Sequence, residues 1–392
     1  MEEKQKVLLV HNFYQIGGGE HTVFENERRL LEENGHEVVV YTRSNNELKT
    51  SLLKKILLPF TAVFSLRTYR EVRSVIRKEN IRLVHCHNTF PLISPSVYYG
   101  AWKSGVPVVQ TVHNFRLLCP GGLFFRDGRS CEECVAGGLG RALKYGCYRH
   151  SRIQTAVTAG MLYVHRRLGT WRRLRYIFLT EWNREKFRPL LGDQVEREFV
   201  KPNFEYMDLP DREEPRDYSR FVFAGRLEEA KGLRFLLDVW SGIPDRTLVI
   251  YGAGPLEDLV RERAASDPRI VYRGFCPRQE VFADIRRSGA FLFSSTCYEG
   301  FPMTLVETMA LGRPAVCRDI GNGAALVKEA GAGLCYGSAE EFIRCLDRIC
   351  DPDRNRRLGE NGRRAYDRRY TPQANYRMLK NIYDRVCAEY GQ

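Results

Sequence analysis

Short, continuously apolar runs alternate along this chain with longer amphipathic stretches, and polar turns separate the two. Lys6-Val7-Leu8-Leu9-Val10 is such a run, and a run without polar alternation is what a strand buried on both faces requires. The amphipathic stretch after it ends near Asn34, Gly35 caps it, and Glu37-Val38-Val39-Val40-Tyr41 predicts a second strand, completing a strand–helix–strand unit. Further strands are predicted at Arg82–Asn88, Val106–Asn114 and Tyr176–Thr180, with helical patterns over Ser51–Asn80, broken at Pro59, and over Thr155–Arg175. A polar, Pro-punctuated run from Asp208 to Arg220 then interrupts the rhythm and marks a domain boundary. The rhythm restarts at Phe221–Leu227 and continues through Leu248–Tyr251, Ile270–Phe275, Ala290–Ser295 and Pro314–Cys317. The pattern predicts an α/β protein of two Rossmann-like, doubly wound domains, 1–200 and 201–372, followed by a long helix over 373–392.

Composition narrows the class. The chain has 392 residues, 43% of them hydrophobic, enough for two domains of ordinary size. No uninterrupted apolar run is long enough to span a bilayer, and the charged start Met1-Glu2-Glu3-Lys4 leads straight into a strand, so a cytoplasmic protein is expected. The net charge is +13, and the segment from Arg116 to Arg188 alone carries 15 Lys and Arg against 5 Asp and Glu. Such a face attracts phosphorylated substrates or anionic lipid. No nucleic-acid-binding motif accompanies it, and no nucleic-acid partner is expected. The Ser51–Phe64 stretch sets basic and apolar residues in blocks. That suits a peripheral helix lying on the inner membrane surface and equally a packed helix pair. All eight histidines precede residue 166, so histidine chemistry belongs to the first half.

An irregular insert over about 116–150 holds Cys119, Cys131, Cys134 and Cys147. A Cys-x-x-Cys with two flanking cysteines can hold a structural zinc as four thiolates. The same residues can instead be thiols of a mobile loop or a disulfide.

The second half carries the sharper chemistry. Glu299-Gly300-Phe301-Pro302-Met303-Thr304-Leu305-Val306-Glu307 follows a buried strand and opens a helix. A helix N-terminus at the carboxyl end of a parallel strand suits a phosphate. Two carboxylates beside a phosphate are tolerated only if they reach past it to hydroxyls, which a nucleotide sugar provides. Arg226 and Lys231 flank the turn after the strand at Phe221 and make a diphosphate clamp. In the first half, Gly17-Gly18-Gly19 forms a close-approach turn, and His113 ends a strand on the same functional rim, with His87 as second choice.

The Glu, seven residues, then Glu pattern with Gly-Phe after the first, together with Gly225-Arg226-Leu227 and Lys231-Gly232, resembles the signature of retaining glycosyltransferases of family 4, which have the GT-B fold. The resemblance covers nearly the whole chain. It implies a metal-independent hexosyltransferase that moves a sugar from a UDP- or GDP-sugar to a lipid-linked or oligosaccharide acceptor in cell-surface glycan assembly. By the same resemblance Arg226 and Lys231 hold the diphosphate, Glu307 the ribose and Glu299 the sugar hydroxyls. Gly17, Gly18 and Gly19 lie against the diphosphate, His113 by the transferred sugar, and Phe275 with Cys276 at the base. Family members require no cofactor for catalysis, and the terminal helix crosses back to the first domain. One segment departs from the family: Asp319-Ile320-Gly321-Asn322-Gly323-Ala324-Ala325 lacks the usual paired glycines and acid. Two other readings stay open, a catalytically silent GT-B scaffold and another GT-B enzyme such as a nucleotide-sugar epimerase.

Overall fold

A computed structural model describes residues 5–15, 19–49, 51–192, 195–208 and 214–390. The chain divides into two units. The first is Met1–Leu123, Glu132–Asn203 and Pro372–Gln392; the second is Phe124–Cys131 and Phe204–Thr371.

In the first unit the apolar runs become β1 (Lys6–Phe13), β2 (Glu37–Ser44), β3 (Leu83–Asn88), β4 (Val108–Val112), β5 (Arg175–Phe178) and β6 (Glu198–Val200). They form one parallel sheet in the order β2-β1-β3-β4-β5-β6. Val7 to Val10 are completely buried, as the uninterrupted apolar run requires. Helix α1 (Gly19–Glu33) follows β1, and α2 (Leu52–Thr61) follows β2. Pro59 lies inside α2 rather than ending it. The break falls instead before Ser65, whose hydroxyl accepts the Thr68 amide at 3.2 Å and caps the next helix, Leu66–Glu79. The cap, not the proline, sets the boundary, because a side-chain oxygen satisfies amides that a helix start leaves without partners. Helix α3 (Arg152–Arg167) stops short of the expected Arg175, and β5 takes up the chain there.

The second unit repeats the layout with β7 (Asp217–Ala224), β8 (Thr247–Tyr251), β9 (Ile270–Gly274), β10 (Ser288–Phe293), β11 (Ala315–Arg318) and β12 (Gly333–Tyr336), in the parallel order β9-β8-β7-β10-β11-β12. Helix α4 (Met303–Ala310) follows β10 and α5 (Gly321–Ala330) follows β11. Trp240, Leu236, Leu248, Leu292 and Phe342 share its core. A two-strand hairpin, Phe125–Arg126 with Arg129–Ser130, also belongs to this unit, where the Ser130 hydroxyl donates to the Thr296 carbonyl at 3.1 Å. Helix α6 (Pro372–Tyr390) packs Leu379, Ile382, Tyr383 and Val386 into the core of the first unit. Among the described residues no helix is long and apolar enough to cross a membrane.

Candidate functional site

In each sheet the strand order reverses once, and the crevice outside the carboxyl ends at such a reversal is where open α/β sheets take ligands. In the second unit the reversal lies between β7 and β10. Arg226 and Lys231 follow β7, and Ser295 and Glu299 follow β10. The Lys231 ammonium donates to Glu299 Oε1 at 2.6 Å, and the Ser295 hydroxyl donates to the same oxygen at 2.6 Å. Burial disfavours the charge on Lys231, but the Glu299 carboxylate outweighs it and holds the ammonium above its ordinary range. Gly232 permits this approach. At φ +67 its Cβ would stand 1.9 Å from the Ser294 carbonyl oxygen, so no larger residue can follow Lys231. Arg226 is more exposed, at 58% of its side chain, with Nε 3.2 Å from Glu228.

The turn from Gly300 to Pro302 enters α4, whose first residues are Met303 and Thr304. Pro302 supplies no side-chain cap, so the leading amides of α4 are left for another acceptor. Glu307, one turn further, meets Arg278 at 2.5 Å, and Arg278 also donates to Glu205 at 3.0 Å. Burial raises the Glu307 carboxyl above its ordinary range, with Arg278 opposing the rise. Phe275 is 86% exposed, and the adjacent Cys276 thiol donates to the Arg273 carbonyl at 3.2 Å. The segment that departs from the family pattern has a structural use: buried Asn322 donates to the carbonyls of Glu299 (2.5 Å) and Gly300 (2.9 Å). It braces the turn by donating to two backbone carbonyls, which a carboxylate could not do. Arg278, Ser295 and Asn322 escaped sequence reading because single polar residues in a carboxylate-rich chain carry no spacing signal.

In the first unit the corresponding rim is built from histidines. His113, just after β4, places Nε2 2.9 Å from His87 Nδ1 at the end of β3, the two rings stacked at 5.1 Å. Burial, then the neighbouring His87 and His11, hold His113 well below its ordinary range. Glu27 of α1 lies beneath, fully buried, between Lys201 Nζ (2.8 Å), His85 Nδ1 (3.0 Å) and His87 Nε2 (3.2 Å). Glu27, His85 and His87 bring three ligand atoms within 4.8 Å of one another, but the Lys201 ammonium already supplies the cation there, and we do not read them as metal ligands. Gly19 opens α1, while Gly17 and Gly18 lie outside the described residues. Glu20 follows, with one carboxyl oxygen enclosed and without a hydrogen-bond partner. Burial pushes its carboxyl up to about 7, with Arg116 opposing.

Two further features lie in the first unit. Cys119, Cys134 and Cys147 lie in the first unit, and Cys131 follows the hairpin of the second. A cavity of about 470 Å³ opens between α2, α3 and the Phe90-Pro91 turn. Leu58, Pro59, Phe90 and Val157 give it an apolar wall, and Lys49, Lys55 and Arg149 add cations. Exposed apolar side chains flank it: Leu53, Ile56, Phe60 and Ile153.

Residues 16–178 match the Glycosyltransferase Family 4 domain, and residues 218–351 match the Glycosyl transferases group 1 domain. O-antigen chain mannosyltransferase C of Escherichia coli is 27% identical over 172 residues, 42% of this chain and 46% of that protein. The match thus spans under half of that relative. Among solved structures, sucrose-phosphate synthase from Thermosynechococcus elongatus superposes with a TM-score of 0.69 at 17% identity, covering 98% of this chain and 100% of the other. Anabaena Alr3699/HepE in complex with UDP-glucose does so with a TM-score of 0.60 at 15% identity, covering 97% and 100%. Both domain matches and the paired parallel sheets agree, and the chain belongs to the family 4 glycosyltransferases of GT-B fold.

Proposed function

We propose that this protein transfers a hexose from a nucleoside diphosphate sugar to an anionic amphiphilic acceptor in cell-surface glycan assembly, with retention and without a metal. The observation that carries the reading is the Lys231–Glu299–Ser295 cluster at the strand reversal of the second unit. The Lys231 ammonium is held charged beside an exposed Arg226 and the uncapped start of α4. This is a receptor for two phosphates. Glu299, released from Lys231 by the diphosphate, turns its oxygens to sugar hydroxyls, and Glu307 serves the ribose. The UDP-glucose bound by the Anabaena protein supports a uridine nucleotide as donor.

In the reaction the bond between the anomeric carbon and the β-phosphate oxygen breaks. The acceptor hydroxyl oxygen bonds to that carbon from the same face, and its proton passes to the departing phosphate. Negative charge grows on the β-phosphate as the bond breaks. Arg226, Lys231 and the α4 amides face that charge and need no reorganisation, which is the largest rate term available here. The acceptor reading rests on the 470 Å³ cavity, whose apolar wall suits a lipid chain and whose Lys49, Lys55 and Arg149 suit its phosphate.

The test is thermal unfolding of the purified chain with UDP-, GDP-, ADP- and dTDP-sugars. Stabilisation by one nucleotide series that disappears in Glu307→Ala is expected. Absence of stabilisation by every series sinks the donor site.

A further inference from the structure

We infer that Glu27 and His87 are positioning residues that fix the tautomer of His113, leaving its Nε2 protonated and its Nδ1 bare as a hydrogen-bond acceptor. The argument starts from the charge beneath the site. Glu27 Oε2 receives the buried Lys201 ammonium at 2.8 Å, and Lys201 also donates to Asn375 Oδ1 at 2.8 Å. Asn375 in turn donates to the Pro202 carbonyl at 2.6 Å. The pairing keeps Glu27 ionised inside the core, and an ionised carboxylate only accepts.

Glu27 Oε1 lies 3.2 Å from His87 Nε2, an oblique approach, and 3.0 Å from His85 Nδ1, while His87 Nε2 has no other hydrogen-bond partner among the described residues. A nitrogen lone pair facing a carboxylate at that distance is repelled, and an N–H is attracted even off-line. A His87 ring with a single proton therefore carries it on Nε2, and its Nδ1 is bare. That bare nitrogen lies 2.9 Å from His113 Nε2. The hydrogen between them must then come from His113. A neutral imidazole has one N–H, and burial keeps His113 neutral. Its Nδ1 is left without a proton.

The chemistry follows from the sign. His113 lines a cavity of about 60 Å³ with Asn114 and Arg116. A bare imidazole nitrogen there accepts from a hydroxyl and offers nothing to a phosphate oxygen. His113 so set discriminates for the sugar or acceptor hydroxyl, while anions are left to the cations. This goes beyond the proposed transfer, and its test does not depend on turnover.

The test is nitrogen NMR of the full chain labelled at histidine, near neutral pH. The expected spectrum places His113 Nε2 in the N–H range and Nδ1 in the bare range. A His113 protonated at Nδ1, or at both nitrogens, overturns the inference. Glu27→Gln then tests the relay. Lys201 retains the amide oxygen, so the amide nitrogen turns to His87 and donates to Nε2. His87 must move its proton to Nδ1, and His113 must move its own from Nε2 to Nδ1. Inversion of both tautomers is expected, and an unchanged His113 overturns the role of Glu27. If Glu27→Gln does not fold, His87→Ala serves. It removes the acceptor for Nε2–H, so the single tautomer should give way to a mixture, and persistence of a pure Nε2–H form overturns the role of His87.

Discussion

The two sheets present their ligand-facing rims with opposite electrostatics. In the second unit, Lys231 and Arg226 are held by carboxylates within a single contact, Lys231–Glu299 at 2.6 Å and Arg226–Glu228 at 3.2 Å, and both cations are partly exposed. A diphosphate can compete for them. In the first unit, Glu27, Lys201, His85 and His87 are buried and locked to one another. Glu27, Lys201 and His85 have no exposed surface for a ligand to touch. The first arrangement is a receptor for charge. The second converts a buried charge into the orientation of neutral rings. All eight histidines lie in the first unit, so imidazole, whose ordinary range is near neutral pH, is available to that rim alone.

The largest effect should come from breaking the locked pair. Lys201→Met leaves Glu27 charged and buried without its cation, and should cost about 3–5 kcal/mol of stability. Denaturant unfolding measures it. Lys231→Met removes an equally short ion pair whose Glu299 is partly solvated and still bonded by Ser295, and should cost far less. Equal losses would erase the contrast between the rims.

Activity should show the reverse ranking. Lys231→Ala withdraws a cation from the departing phosphate and should lower kcat by roughly 10²–10³-fold, measured as nucleotide release. A loss within about threefold would mean that Lys231 does not face the developing charge.

Acid should act on the histidines of the first rim. Burial holds His11 down to about 3 and His85 down to about 4, both fully enclosed against their neighbours. The unfolded chain binds those protons near the ordinary value of about 6.5, so it holds more protons than the native state below that pH. Stability is therefore lost as pH falls from about 6.5 toward 4, by on the order of 2 kcal/mol per histidine between pH 7 and pH 5. Glu20 works in the opposite sense. Its carboxyl, raised to about 7, takes up a proton first in the native state and stabilises it as pH falls from 7 toward 4.5. His11→Phe, which keeps the stack on Phe24 at 4.8 Å, should flatten the acid loss, and Glu20→Gln should steepen it. Urea midpoints at pH 7 and pH 5 decide both.

How much of this the sequence disclosed depended on the physics of each feature. Strands were legible because burial on both faces demands unbroken apolar runs, and Val7–Val10 obeyed. Lys231-Gly232 was legible because a backbone carbonyl occupies the Cβ position. The Glu27–Lys201 pair was not, since its partners stand 174 residues apart and look like any charged residues on helix faces. Asn322 was silent in another way: it occupies a segment that departs from the family pattern, and only the structure shows it tying two carbonyls of the Glu299 turn. Pairings of that kind are set by the sheet order, which periodicity does not encode.

The smallest expected effect concerns the cavity between α2 and α3, where the first unit resembles the second in presenting cations to solvent. Lys49 and Lys55 are exposed beside Leu58 and Pro59. Each cation near an anionic surface contributes about 1 kcal/mol, so Lys49→Glu with Lys55→Glu should weaken sedimentation with phosphatidylglycerol vesicles by at least about tenfold at low salt. The apolar rim gives a second, salt-independent share. Ile56→Ser with Phe60→Ser removes side chains 61% and 75% exposed, so their replacement should leave the fold intact and still reduce binding at high salt. If the charge reversal abolishes binding at every ionic strength while the serine pair changes nothing, the face is a pure anion site. The acceptor's lipid would then have to be sought elsewhere. If both act, each in its own salt range, the cavity reads charge and chain together, as an amphiphilic acceptor requires.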